Sequence, residues 1–248
     1  MLPLALLILI DSRAPAGAHS HSSGMEPAVA AGLVRDVDDV AAFCAARVRT
    51  GGRVAAAFAA ASCRGWLMGL EPHFWLALDR ELDARIASEA ARGASRAMGS
   101  GLRRLVAATA PASWRALQEV WSLCPRPAPH HPVVLGAAAA AVGAQPAMAG
   151  RAAMLASVSG PASAALRLLG LDPYQVQAIT ADLAAAMEQA ADEATALADA
   201  VVARHLDVSV GSALLAVRRL IYDDQERPVQ WLHGMYRPDR YEYEMQLS

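Results

Sequence analysis

Lysine is absent from this sequence, in which all 22 basic residues are arginine. Without lysine the chain cannot build a P-loop, a Schiff base or a Ser-x-x-Lys nucleophile. Charged residues make up only 19% and aromatic residues 5%. The net charge of -2, and the lack of a basic stretch interleaved with aromatics, argue against binding to nucleic acid.

Cysteine is also scarce. Cys44, Cys63 and Cys124 are an odd number, lie far apart and form no C-x-x-C pair. This pattern favours neither a disulfide framework nor a zinc knuckle. A reducing, cytoplasmic environment is therefore expected.

Hydrophobic residues reach 55%, and alanine accounts for most of the excess. Alanine favours helix and lets neighbouring helices approach closely. With few charges to cover the surface, some apolar area should remain exposed, which is typical of a protein that binds partners. The composition predicts a helical member of a larger complex, long enough for one domain or for one domain with a small appendage.

The chain opens with an apolar run, Met1 to Ile10, followed by small residues from Ala14 to Ala18. A signal peptide is one interpretation. Against it, no basic residue precedes the run, and the charged residues Asp11 and Arg13 lie between the run and the small residues. The run is shorter than the roughly 20 residues that a membrane span needs. We interpret it as a buried first helix and expect no membrane association.

Capping residues and apolar periodicity predict the later helices. Asp36 is a plausible N-cap for a helix that Gly51-Gly52 should end. Asp172, followed by Pro173, should start one long helix with an apolar stripe reaching Val201. The helices expected between these two run from Arg53 to Cys63, from Pro72 past Ile86, from Arg96 to Thr109, from Ser113 to Leu123, from Val133 to Val142 and from Met148 to Leu169, with breaks at Cys124 to Pro132 and at Gly160-Pro161.

Beyond Val208 the periodicity changes from helical to extended. Strands are predicted from Ala213 to Tyr222, from Pro228 to Arg237 and from Tyr241 to Met245. The fold class expected is an all-α helical bundle with a short C-terminal β meander.

Two pairs of histidines raise the question of a metal. His19 and His21 lie beside Glu26, and His130 is followed by His131. A structural metal site usually has four ligands at recognisable spacing, which neither pair supplies. Loop histidines that hydrogen-bond locally are one interpretation, and transient contact with a metal or a partner is the other. No Ser/His/Asp or Cys/His arrangement is evident, so a catalytic triad has little support.

The stretch from Asp11 to Glu26 resembles the N-terminal signature of the UreF family of urease accessory proteins, "DSxxPxGxxSHSxGxE". Further residues resemble the central helix pattern and later helices of that family: Leu78-Asp79, Leu82, Ala84, Ser88-Glu89, Arg92, Ser95, Met98-Gly99, His131 to Val134, Gly136 and Leu168 to Tyr174. The resemblance covers about residues 2–195. It implies a UreF-like helical domain at 1–195.

The end of the chain departs from that family. Residues 197–248 resemble the last part of the UTRA effector-binding domain of GntR/HutC-type regulators, through Val210-Gly211-Ser212, Leu215, Arg218-Arg219, Tyr222-Asp223, Arg227 to Val229, Tyr236 and Asp239 to Tyr241. The expected division is a helical domain at 1–195 and a UTRA-like β fragment at 196–248. A fragment of a ligand-sensing transcription regulator fused to a helical domain is the alternative function, and a helical metal-handling enzyme is a third class.

The UreF resemblance implies a non-catalytic scaffold without a resident cofactor. Such a protein forms a homodimer, binds UreD (also called UreH) and the GTPase UreG, and helps GTP-dependent insertion of nickel into apo-urease, the nickel being handled only transiently. The residues expected to contact a partner or line a nickel route lie in one loop: Pro15, Gly17, His19, Ser20, His21, Ser22, Gly24 and Glu26.

Overall fold

The computed structural model describes residues 3–11, 21–110, 115, 118, 121, 128–205, 215–222, 225 and 228–236. The chain is mostly helical there, which confirms the helical part of the predicted fold class. The helices are α1 (Leu4–Ile10), α2 (Met25–Ala30), α3 (Val37–Arg47), α4 (Arg53–Leu67), α5 (Pro72–Arg85), α6 (Glu89–Thr109), α7 (His131–Ala141), α8 (Pro146–Leu169), α9 (Pro173–Asp182) and α10 (Ala184–His205).

Local capping chemistry starts several of these helices, as the sequence predicts. The Asp36 side chain accepts a hydrogen bond from the backbone N–H of Asp39 at 2.9 Å, at the start of α3. Asp172 does the same for the N–H of Tyr174 at 2.9 Å, ahead of α9. Each cap pairs a backbone donor that the helix itself leaves unpaired.

The predicted stop at Gly51-Gly52 is wrong. A π-helical turn, Val48–Gly52, joins α3 directly to α4. A Cβ on Gly52 would lie 2.8 Å from Met154 Sδ, so the glycine lets α8 approach this turn closely. Tertiary packing therefore outweighs the weak helix propensity of the two glycines.

Two other predicted helix boundaries also differ. Helix α8 continues through Pro161, where the sequence predicts a break, and Pro161 is buried among its neighbours. Conversely, the single long helix predicted after Asp172 is two helices, because the backbone turns at Leu183 with ψ near -4°. Packing explains the first outcome, since a buried proline can keep its place in a helix at the expense of one hydrogen bond.

Helix α4 is the centre of the body and packs against α5, α7, α8 and α10. Its contact with α7 is close because the facing residues are small. A Cβ on Gly136 would lie 2.1 Å from the carbonyl oxygen of Ala59. Ser62 adds a hydrogen bond from its hydroxyl to the carbonyl of Val133. Larger residues at these positions would separate the two helices.

The buried side chains form two clusters. The aromatic core lies among α1, α4, α5, α6 and α7 and contains the fully buried Phe74 and Trp75 together with Phe58 and Trp121. The aliphatic core lies among α2, α3, α8, α9 and α10, and its buried members carry no aromatic ring. Met25, Met154, Met187 and Ile179 are its largest buried side chains, and most of the other members are alanine and valine.

Helix α1 is only half buried, which corrects the prediction of a buried first helix. Leu6 and Leu9 insert into the aromatic core at 1% and 5% exposure. Leu4 and Ile8 point outwards, at 78% and 54% exposure. A seven-residue helix on the surface can bury one face only, because its neighbours α6 and α7 lie on a single side.

One helix in the described part of the chain, α8, is long and apolar enough to cross a membrane by length and composition. Half of its apolar segment is buried inside the protein. It contacts α2, α3, α4, α7, α9 and α10, which is the packing of a central core helix.

After α10, the described residues contain two strands, β1 (Leu215–Tyr222) and β2 (Pro228–Tyr236). They pair antiparallel from Leu215 opposite Tyr236, with an irregularity between Ile221 and Tyr222. The predicted three-stranded meander is not supported, because the described residues contain a hairpin of two strands. The predicted third strand, from Tyr241 to Met245, lies outside the described residues. The division of the chain at 195/196 stays a prediction.

Candidate functional site

The sequence placed its candidate site in the loop before α2, and the described part of that loop is a short turn, residues 22–26. Ser22 accepts hydrogen bonds from the next helical turn: its hydroxyl from the N–H of Glu26 at 3.2 Å and its carbonyl from the N–H of Met25 at 3.0 Å. Ser23 and Gly24 both have positive φ, at 52° and 95°. The serine thus caps a helix that begins immediately after a left-handed bend.

The turn is anchored to the body. Met25 is fully buried in the aliphatic core. A Cβ on Gly24 would lie 3.8 Å from the ring of Phe43 on α3, and Ser23 Oγ lies 3.8 Å from the Cβ position of Gly160 on α8. Glu26 stays exposed, and His21 is partly exposed. The turn is therefore fixed to the body while the Glu26 carboxylate stays accessible to solvent.

Half of the predicted site residues lie outside the described residues, namely Pro15, Gly17, His19 and Ser20. The other half, His21, Ser22, Gly24 and Glu26, are brought together at the start of α2. Their role as partner or nickel-route residues stays a prediction.

A second polar constellation, which the sequence did not reveal, lies between α5, α6 and the start of α7. Arg96 donates to Asp79 Oδ2 at 3.0 Å, to Asp83 Oδ1 at 2.7 Å and to the carbonyl of Ala128 at 2.8 Å. The ring Nε2 of His130 lies 3.0 Å from Asp83 Oδ1, and the backbone N–H of His130 donates to Asp79 Oδ1 at 2.8 Å. These four residues, Asp79, Asp83, Arg96 and His130, are called the polar cluster below.

Burial and charge shift the acid–base behaviour of the polar cluster. Hydrogen bonds from Arg96 and His130 hold the pKa of Asp83 below its usual range. Burial lowers the pKa of His130, against the attraction of the Asp79 carboxylate and the bond to Asp83. At neutral pH the cluster therefore contains a guanidinium, the Asp83 carboxylate and a neutral imidazole.

The structure gives His130 a packing role. Its ring is fully buried and bonded to Asp83, 47 residues earlier in the chain, so its hydrogen bond is not the local one that the sequence suggests. Within the described ranges, no group of three or more His, Cys, Asp or Glu side chains is arranged to hold a metal ion.

The sequence did not reveal the polar cluster, because Asp79 and Asp83 lie off the apolar stripe of the helix that begins at Pro72 and nothing near them indicates a buried partner. The available signal was their four-residue spacing, which puts two carboxylates on one face of α5. The sequence near Asp83 does not indicate that Arg96 and His130 contact that face, because they lie 13 and 47 residues further along the chain.

Two family models match the chain. The UreF model matches residues 34–184 and the UTRA domain model matches residues 175–242. The two matches overlap on α9 and the start of α10.

Curated proteins named urease accessory protein UreF are similar over most of the chain. The protein of Mycobacterium sp. (strain JLS) is 43% identical over 209 residues, which cover 81% of this chain and 92% of that protein. The protein of Mycobacterium bovis (strain BCG / Pasteur 1173P2) is 44% identical over 196 residues, 78% of this chain and 86% of its own length. That of Mycolicibacterium vanbaalenii is 40% identical over 211 residues, 82% of this chain and 94% of that protein.

Proposed function

Since the chain belongs to the UreF family, we propose that it acts as a non-catalytic scaffold in the maturation of urease. The observation that carries the proposal is 43% identity to a urease accessory protein over 92% of that protein's length. UreF proteins are accessory proteins and not enzymes, and they act together with other proteins.

In finer detail, the proposed partners are UreD (UreH), the GTPase UreG and apo-urease. The chain would form a homodimer in this complex, in the cytoplasm, and assist GTP-dependent insertion of nickel as a transient cargo. The alanine-rich helix surfaces and the exposed leucine and isoleucine side chains of α1 support the proposal of a partner-binding protein.

Within this scaffold we assign partner contact to the turn at residues 22–26 and to its flanking histidines. Its support is geometric: Ser22 and Gly24 set the backbone, Met25 anchors it, and Glu26 remains exposed. A rigid turn loses less conformational entropy on binding than a flexible loop does, so it is the better docking site.

The test is co-purification together with urease activation. Cells carrying urease and its accessory genes, but lacking their own UreF-type gene, are supplied with the full chain. We expect capture of UreD and UreG and restored nickel content and activity of urease. Absence of both captures, with the chain folded by circular dichroism, would contradict the scaffold proposal.

Single substitutions then test the turn. Glu26→Gln should weaken partner capture, because it removes an exposed carboxylate at the proposed contact. Glu89→Gln is the matched control, since Glu89 is also an exposed acid in the first turn of a helix. The same comparison applies to His21→Ala against His73→Ala, with nickel content of urease as readout. Equal effects in both members of a pair would remove the assignment of the turn.

A second candidate function rests on the UTRA match over residues 175–242. In that case the C-terminal part would bind a small effector, as in a GntR/HutC-type regulator. Thermal-shift screening of small carboxylates, sugars and amines on the full chain distinguishes the two. A stabilising ligand without capture of UreD or UreG favours the regulator, and capture without such a ligand favours the scaffold.

A further inference from the structure

Residues 128–131, which lead into α7, are fastened to α5 and α6 through the polar cluster. Arg96 holds the carbonyl of Ala128 at 2.8 Å. Asp79 holds the backbone N–H of His130 at 2.8 Å, and Ser95 Oγ accepts from the N–H of His131 at 3.3 Å. Three side chains on two helices thus hold one short stretch of backbone.

This stretch lies directly on the backbone of α6. A Cβ on Gly99 would lie 2.1 Å from the carbonyl oxygen of Pro129, so no side chain separates the two. The His130 ring, at 0% exposure, fills the space between the stretch and α5. Any change that expels this ring must therefore also lift the backbone that carries it.

The hydrogen bonding of the ring specifies its charge state. Nε2 lies 3.0 Å from Asp83 Oδ1, so Nε2 carries the proton and donates it to the carboxylate. Nδ1 is buried and has no hydrogen-bond partner in the part of the chain that the structure describes. A bare lone pair is tolerable there, but protonation would create a buried N–H without an acceptor, which is costly.

Charged groups face the ring from each neighbouring element. From α5, the carboxylates of Asp79 and Asp83 favour the protonated ring. From α6, the guanidinium of Arg96 opposes it, while Arg92 Nε lies 3.9 Å from Asp83 Oδ2 and competes for that carboxylate. His131 follows on the same stretch, and burial lowers its pKa to about 4. Burial prevails, and the folded protein keeps the His130 ring neutral.

We propose that residues 128–131 are an acid-sensitive latch: the neutral His130 ring holds them on α5 and α6, and proton uptake by that ring releases them with the first turn of α7. Release exposes the remainder of the polar cluster to water. It also loosens the start of a helix that packs on α4, so a local protonation changes the surface of the body. The latch is a property of the chain itself and does not depend on the proposed function.

The sign of the pH effect follows from linkage. The pKa of His130 is lower in the folded protein than its ordinary value of 6.5, so the stabilisation is complete above pH 6.5 and declines as the pH falls. One histidine kept neutral raises the opening constant by about tenfold for each pH unit below 6.5. The pKa of Asp83 is lowered from 3.8, so titration of that carboxylate lies below this window.

The test is hydrogen exchange of the full chain between pH 7.5 and pH 5, with rates corrected for intrinsic exchange. The N–H groups of Val133 and Val134 both donate to the carbonyl of His130 at 3.1 Å and report on the latch. Their protection should fall by at least about tenfold per pH unit below 6.5. The amide of Val176 in α9, which donates to the carbonyl of the capping residue Asp172, is the internal control and should show no such slope.

Two variants assign the effect to one ring. His130→Gln can still donate to Asp83 but cannot titrate, so its slope at Val133 should be about tenfold per pH unit shallower than that of the wild-type chain. The slope that remains comes from His131, whose pKa burial also lowers. His131→Gln should keep a slope of about tenfold per pH unit. A flat profile in the wild-type chain overturns the latch, even if His130→Gln does not fold. A slope in His130→Gln as steep as that of the wild-type chain, or a slope that disappears in His131→Gln, overturns the assignment to His130.

Discussion

The aromatic core and the aliphatic core reach the same degree of burial with different side chains. In the aromatic core, Phe74 and Trp75 fill the space between α4 and α5, with their rings in edge-to-face contact at 5.4 Å between centroids. In the aliphatic core, methionine, isoleucine, valine, cysteine and alanine fill the space between the helices, and none of the described buried residues is aromatic. Both cores contain many alanines, so the large rings are what distinguishes the aromatic core.

Their polar attachments differ as well. The polar cluster borders the aromatic core, and Arg96 in it keeps only 16% of its side chain exposed. Beside the aliphatic core, Arg151 and Asp192 pair at 3.0 Å with about half of each side chain exposed. The Arg96 guanidinium keeps its partners because little water can reach it, whereas an exposed pair exchanges its partner for water.

The largest expected effect is the loss of one large side chain. Trp75→Ala should lower the free energy of unfolding by about 3–5 kcal/mol, because a fully buried indole leaves a cavity that the surrounding helices cannot close. Met154→Ala in the aliphatic core should cost less, about 2–3 kcal/mol, since neighbouring small residues can shift into the gap. Urea denaturation followed by circular dichroism measures both.

Trp66→Ala is the control for this pair. Trp66 also contacts the aromatic core but is only partly buried, so its loss should be smaller than that of Trp75. A Met154→Ala variant less stable than Trp75→Ala would reverse the comparison of the two cores.

The next effect is on the polar attachments. Arg96→Met keeps the apolar stem and removes the bonds to Ala128, Asp79 and Asp83, and we expect a loss of about 2–3 kcal/mol. Arg151→Met removes the exposed pair and should cost at most about 1 kcal/mol. The two variants are measured by urea denaturation at pH 7.5 and at two salt concentrations. Losses of equal size would mean that burial does not distinguish the two attachments.

The smallest effect compares one thiol in each core. Burial raises the pKa of Cys44, in the aliphatic core, to about 11, and that of Cys63, in the aromatic core, to about 12. Because only the thiolate reacts, Cys63 should be alkylated more slowly than Cys44 at pH 8. Mass spectrometry after timed iodoacetamide treatment measures the alkylation rate at both cysteines. The control is the unfolded chain in roughly 6 M urea, where the two rates should be equal. Faster reaction at Cys63 in the folded protein would contradict the comparison.

The sequence predicted helix starts better than helix ends or breaks. Asp36 and Asp172 cap as expected because capping involves residues two or three positions apart. Gly52 and Pro161 do not break their helices, because their local preference is opposed by contacts with residues that are distant in the sequence. For the candidate site, the start of α2 was found from a motif, whereas the polar cluster required four residues from three separate segments.

By itself, the sequence determined the mostly helical character, the capped starts of α3 and α9, and membership of the UreF family. These features follow from composition, local hydrogen bonding and residue order, which are properties of short segments or of the amino-acid sequence as a whole. The tertiary structure alone decided that α4 is the central helix, that α3 continues into it, and that Asp79 and Asp83 face Arg96 and His130. Those outcomes depend on which surfaces meet when helices pack, and that packing is set by shape and burial across the whole body.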